Sequence, residues 1–169
     1  MNPGGRGACE GGRRTARKAA GRSARAGCLR SIEMDGLPAR LDDLRPLIAR
    51  AARKVIRQKR IPTYALSVAF VSDARMARLN RTGFGRRGTT DVISFDLSER
   101  GLAVRLVADI YISLDRARRQ ASAFGVSERE EILRLVLHGI FHAIGYEDVT
   151  ESGEKEMEKV VEREVALLR

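Results

Sequence analysis

The chain has 169 residues, 43% of them apolar, which fits one domain with a real hydrophobic core. No apolar run is long enough to cross a bilayer, so an ordinary soluble protein is expected and a membrane partner is not. The formal charge is +10, but residues 1–30 alone carry eight basic residues against the single acid Glu10, so the body is only mildly basic.

Residues 1–27 are rich in Gly, Ala, Arg and Ser and contain no Val, Ile, Leu or Phe. Such a segment cannot bury enough apolar surface to offset its ordering entropy, so a disordered basic tail is expected. Four readings of it stay open: an RNA-binding arm, an organellar targeting peptide, passive disorder, or an upstream extension with Met34 as the true start. Both cysteines, Cys9 and Cys28, fall in or beside this tail. They make no disulfide framework, so a reducing, cytoplasmic location is expected.

A short strand is expected over residues 28–34. Leu44, Leu47, Ile48, Ala51, Ala52 and Val55 recur at helical spacing, which predicts a helix over Leu41–Gln58, closed by Pro62. Leu66–Val71 reads as a strand. Asp73 can cap a short helix over Ala74–Leu79, followed by the Gly- and Arg-rich loop "NRTGFGRRG". "TTDVISFDL" predicts a strand from about Asp91, and "RLVADIYIS" another. Ser113 caps the next helix and Gly125 ends it. Ser127 and Glu130 have the spacing of a capping box. A last helix from about Ser152 puts Met157, Val160, Val161, Val165 and Leu168 on one face. No glycine-rich phosphate loop follows any strand. The expected architecture is a single α+β domain, residues 28–169, with one small mixed sheet packed by helices.

The helix that begins after Ser127 is apolar nearly all round from Ile132 to Ile144, which marks it as central and buried. It also carries the only two histidines of the chain, His138 and His142. At i and i+4 both imidazoles face the same side and can reach one metal ion. Gly145 can end the helix and reverse the chain, bringing Glu147 or Asp148 back towards them. Two histidines and one carboxylate leave a coordination position open for water, the pattern of a catalytic zinc centre. The alternative, two satisfied core histidines, does not explain their one-turn spacing, the stop glycine and the acids after it. Gly139 stands where zincin proteases have a glutamate base, which disfavours peptide hydrolysis by that route. A glycine inside a helix costs about 1 kcal/mol against alanine, so a close approach is expected there.

These residues resemble the YbeY family of bacterial metal-dependent endoribonucleases, whose signature is H-G-x-x-H-x-x-G-Y-D-H. His138, Gly139, His142, Gly145 and Tyr146 match it, with Glu147 in place of aspartate. "TTDVISF" (Thr89–Phe95) is similar to the family's T-D-V-L-S-F, and "ADIYIS" (Ala108–Ser113) to its G-D-I-x-I-S. The resemblance covers residues 28–169. It implies zinc-dependent, single-strand-specific endoribonuclease activity in ribosomal RNA processing, at the 3′ end of 16S RNA, and in ribosome quality control. It implies one Zn2+ per chain on His138, His142 and Asp148, the last replacing a histidine, and single-stranded RNA and the small ribosomal subunit as partners. A family arginine serving RNA falls on Phe84, and two readings of Arg86 and Arg87 stay open: they supply that charge from a shifted place, or they belong to a solvated loop. Asp91 and Asp109 lie near family motifs, each readable as structural or as a base, and the general base stays unassigned. The competing class is a non-catalytic RNA-binding ribosome-assembly factor with a structural metal site. A third is a metal-dependent hydrolase of another phosphoester.

Overall fold

The structure, a computed structural model, describes residues 30–98, 105–146 and 150–167. The expected tail, Leu168 and the acids Glu147 and Asp148 lie outside the described residues. Four strands form one mixed sheet in the order β1-β2-β4-β3. β1 (Arg30–Asp35) and β2 (Tyr64–Val71) run parallel, as do β2 and β4 (Leu106–Ser113), while β3 (Val92–Asp96) lies antiparallel on β4. A chain beginning at Met34 would lack Arg30–Glu33, which pair with Tyr64–Ser67.

A parallel pair needs a crossover, and α1 (Leu44–Gln58) supplies it between β1 and β2. Its start differs from the sequence expectation: Ala39–Leu41 forms a 3-10 turn, and the helix begins at Leu44. Pro46 then sits in the first turn, where a missing N–H leaves no helical hydrogen bond unmade. Leu44, Ile48, Ala51, Ala52 and Val55 are its buried stripe.

The next helix, α2 (Asp73–Phe84), is longer than expected. Its cap is Ser72, whose Oγ accepts the Arg75 N–H, while Asp73 is already helical. Gly83 does not break it; the Phe95 ring lies where a Cβ would be, 2.9 Å away. The helix stops at Gly85, which takes φ +67°, a left-handed conformation that only glycine adopts cheaply.

Ser113 and Gly125 bound α3 (Leu114–Phe124) as the sequence predicts, with the Ser113 Oγ accepting the Arg116 N–H (3.1 Å). Ser127 caps α4 (Glu128–Ala143) by accepting the Glu130 N–H (3.1 Å), and three glutamates in its first turn suit the positive helix end. The last helix, α5 (Glu151–Ala166), is capped by Thr150 and buries Met157, Val161 and Val165.

Alternation along the strands divides the core. Leu66, Val68 and Phe70 of β2 and Leu106, Ala108, Ile110 and Ile112 of β4 join the large cluster with α1, α4 and α5. Val71, Ile93 and Tyr111 join a small cluster with Met76 of α2. α4 is the central helix that its apolar sequence predicts, in contact with β3, β4, α1, α3 and α5. Gly139 makes that position possible. A Cβ there would lie 2.6 Å from Ile110 Cγ2 and 3.1 Å from Val92 Cγ2. The helix thus rests on the sheet between its two histidines.

Candidate active site

His138 and His142 project from the same face of α4, and their Nε2 atoms lie 3.0 Å apart. The rings meet edge to face, with centroids 4.6 Å apart. His142 Nδ1 is 3.1 Å from the backbone carbonyl of Tyr146. A carbonyl only accepts, so Nδ1 donates to it, and Nε2 is the nitrogen that faces His138. Two nitrogens on one tetrahedral zinc, each at about 2.0–2.1 Å, stand about 3.3 Å apart, close to the spacing of this pair. The Tyr146 carbonyl takes the part of the outer partner that orients a ligating imidazole.

The chain reversal behind that carbonyl is the one that Gly145 predicts. Gly145 has φ +93° and its N–H reaches the His142 carbonyl (3.0 Å), while the Tyr146 N–H reaches that of Phe141 (3.0 Å). The Tyr146 ring packs on Phe141, and its hydroxyl accepts from Lys59 Nζ. Among the described residues no three His, Cys, Asp or Glu side chains converge, and both carboxylates considered as third ligand, Glu147 and Asp148, lie outside them.

The histidines open into a cleft of about 530 Å³ between α4, the edge strand β3 and the end of α2. Arg86 lines it; Arg87 is exposed and is not among the described lining residues. The Asn80 side chain donates to the Gly88 carbonyl (3.2 Å) and closes the loop that carries both arginines. Phe84 also lines the cleft, 49% exposed, and stacks on Phe95 with centroids 5.3 Å apart and planes 9° from parallel. Composition did not point to Phe84. Its signal was an aromatic residue inside an otherwise polar Gly- and Arg-rich stretch.

Asp91 lines the cleft as well, but it is braced. Its Oδ2 accepts from Gln120 (2.8 Å) and its Oδ1 from Thr90 (3.1 Å) and the Val92 amide (2.9 Å). Burial pushes its pKa up, yet these hydrogen bonds prevail and hold it below the usual carboxylate range. An anion so held is a weak base. Its backbone carbonyl accepts the Ser113 N–H (2.8 Å), which ties the segment to α3. Asp73 is a second hub, accepting from Ser113 Oγ, from Arg119 (2.6 Å) and from Thr89 (3.3 Å). The "TTD" segment is therefore a braced entry into β3, the cleft wall. Asp109 is 1% exposed on β4, paired with Ser67 and Phe95, and is not among the described residues lining the cleft.

A family model described as "Endoribonuclease YbeY" matches residues 35–168. A protein named Endoribonuclease YbeY from Halalkalibacterium halodurans is 40% identical over 105 residues, 56% of this chain and 66% of that one. One of the same name from Thermus thermophilus is 36% identical over 124 residues, 72% of this chain and 89% of that one. The match to the first spans slightly under two thirds of that relative's length. The solution structure of a Thermotoga maritima protein superposes with a TM-score of 0.57 at 26% identity, covering 82% of this chain and 89% of that one.

Proposed function

The chain belongs to the YbeY family, and from that premise we propose that it is a single-strand-specific endoribonuclease of ribosomal RNA processing. The reading extends to maturation of the 16S 3′ end and ribosome quality control in the cytoplasm, with the small subunit as partner. One zinc ion per chain, held by His138, His142 and Asp148, belongs to the same proposal. The observation that carries it is the histidine pair, with Nε2 atoms 3.0 Å apart at the floor of an open cleft. An open position beside the ligands favours a hydrolytic over a purely structural metal site.

Zinc in such a set supplies Lewis acidity and lowers the pKa of a water ligand. The chain's own residues do the rest. The Tyr146 carbonyl keeps the proton of His142 on Nδ1, so Nε2 stays a donor of its lone pair. Arg86 offers its guanidinium to a phosphate at the cleft mouth. The exposed face of Phe84, held flat by Phe95, offers a stacking platform to an unpaired base, which a base in a duplex cannot reach. Asp91, held as an anion by three donors, shapes the wall and is a poor proton acceptor.

Metal analysis of the purified chain, paired with cleavage of single-stranded RNA with and without chelator, tests the proposal. One zinc per chain and chelator-sensitive cleavage are expected. Both should be lost in His142→Ala and Asp148→Ala and largely kept in Glu147→Ala. Chelator-resistant cleavage would overturn the metal mechanism. Full zinc content in Asp148→Ala would overturn the ligand assignment.

A further inference from the structure

A second cavity, of about 550 Å³, lies where the C-terminal end of α1 meets the first residues of β1 and β2. Arg30, Arg53, Arg57 and Arg60 line it over an apolar floor that includes the buried Ile56. The three arginines of the α1 end are exposed. Among the described residues none of the four makes an ion pair. Arg40, Arg119 and Arg129, by contrast, each face a carboxylate, on Glu128, Asp73 and Asp43. Four guanidiniums lining a concavity with no carboxylate among its described lining residues repel one another and leave a demand for anions.

The arrangement is also held in place. Arg30 Nε donates to the Pro62 carbonyl (3.0 Å), which fixes the plane of its guanidinium. Arg53 and Arg57 stand one helical turn apart on α1, so their side chains are neighbours. Arg60 has φ +56°, a left-handed conformation that a side chain of this size rarely adopts. That turn carries Arg60 back to the pocket rim.

The patch is connected to the histidine cleft. Lys59, between Arg57 and Arg60, donates to the Tyr146 hydroxyl and stands 4.5 Å over its ring. Tyr146 lines the cleft and its carbonyl orients His142. Lys59 thus links the end of α1 to the Tyr146 side of the cleft. We infer that this arginine pocket is a second RNA-backbone site, which holds the phosphates of a strand whose scissile bond lies in the histidine cleft. The inference rests on the endoribonuclease reading. Its ligand is the phosphodiester backbone of single-stranded RNA, bound without sequence preference.

The test is fluorescence anisotropy on the full chain, using nuclease-resistant 2′-O-methyl oligouridines of about 6 and about 16 nucleotides, across a salt series. The longer strand should bind more tightly. Arg53→Ala with Arg57→Ala should weaken it about tenfold and lower its log–log salt slope by about 1.4, the value for two phosphates on a single strand. Binding of the short strand should not change. Arg53→Lys with Arg57→Lys should keep most of the affinity, because a phosphate reads charge. Both residues are exposed, so thermal melts should stay matched, and Arg57→Glu alone gives a second variant with the helix intact. Equal binding of the long strand by wild type and both charge-removing variants would overturn the inference while leaving the cleft reading intact. So would loss of binding to phosphatidylserine–phosphatidylcholine vesicles with unchanged RNA isotherms, which would assign the patch to a membrane. Failure of the wild type to bind either strand would overturn the endoribonuclease reading itself.

Discussion

Gly139→Ala isolates the contact that seats the histidine helix on the sheet. On helix propensity alone the change should stabilise the protein by about 1 kcal/mol. The packing opposes it. The added methyl would stand 2.6 Å from Ile110 Cγ2 and 3.1 Å from Val92 Cγ2. Ile110 is fully buried in a central strand, and its Cγ2 is on the β-carbon, where it cannot swing away without a rotamer change. Overpacking of this kind costs about 1–3 kcal/mol, and the stiff neighbour places this case near the top. The net expectation is a loss of about 2 kcal/mol, or about 4–8 °C in Tm for a chain of this size. The helix must move between His138 and His142, so zinc affinity should fall as well. Thermal unfolding by circular dichroism, with metal titration, reads both. Ile110→Leu removes the offending branch, so Gly139→Ala with Ile110→Leu should cost less than the sum of the single changes. A Gly139→Ala protein as stable as wild type, or simple additivity with Ile110→Leu, would refute the reasoning.

Phe84→Ala should weaken single-stranded RNA binding by about 1–3 kcal/mol, the worth of one base stacked on an aromatic ring, while zinc content stays whole. Phe84→Trp should retain the affinity, and an unaffected Phe84→Ala isotherm would leave the ring without a role in the cleft. Asp91 sets a pH dependence: its folded carboxyl binds a proton less tightly than the unfolded one. Its contribution is complete above the unfolded value of about 3.9 and is lost as pH falls through the depressed folded value. The Tm of wild type should therefore drop more steeply below about pH 4 than that of Asp91→Asn. Parallel curves would show that Asp91 does not carry the acid limb.

Periodicity and punctuation were enough to find most elements. Ser113, Gly125 and Ser127 bound helices because a short oxygen side chain caps and a glycine turns left-handed in almost any context. α4 read as central because only a helix covered on all sides can be apolar all round. The histidine pair was legible for a related reason: i and i+4 on a helix are neighbours whatever the tertiary fold. What failed locally was decided at a distance. α2 runs past Gly83, where the Phe95 ring of β3 packs so close that a side chain would not fit, a contact the helix's own sequence does not show. Phe84, stacked on the same ring, lines the cleft. Asp91 read as either base or brace until Gln120 and the Val92 amide supplied the donors that hold its charge. The arginines at positions 30, 53, 57 and 60 are scattered in sequence and converge only because β1, α1 and β2 form a parallel crossover. Local chemistry travels with the residue, so sequence alone determined the boundaries at Ser113, Gly125 and Ser127 and the one-turn spacing of the histidines. Which side chains share a cavity depends on strand order and register, and only the tertiary structure decides those.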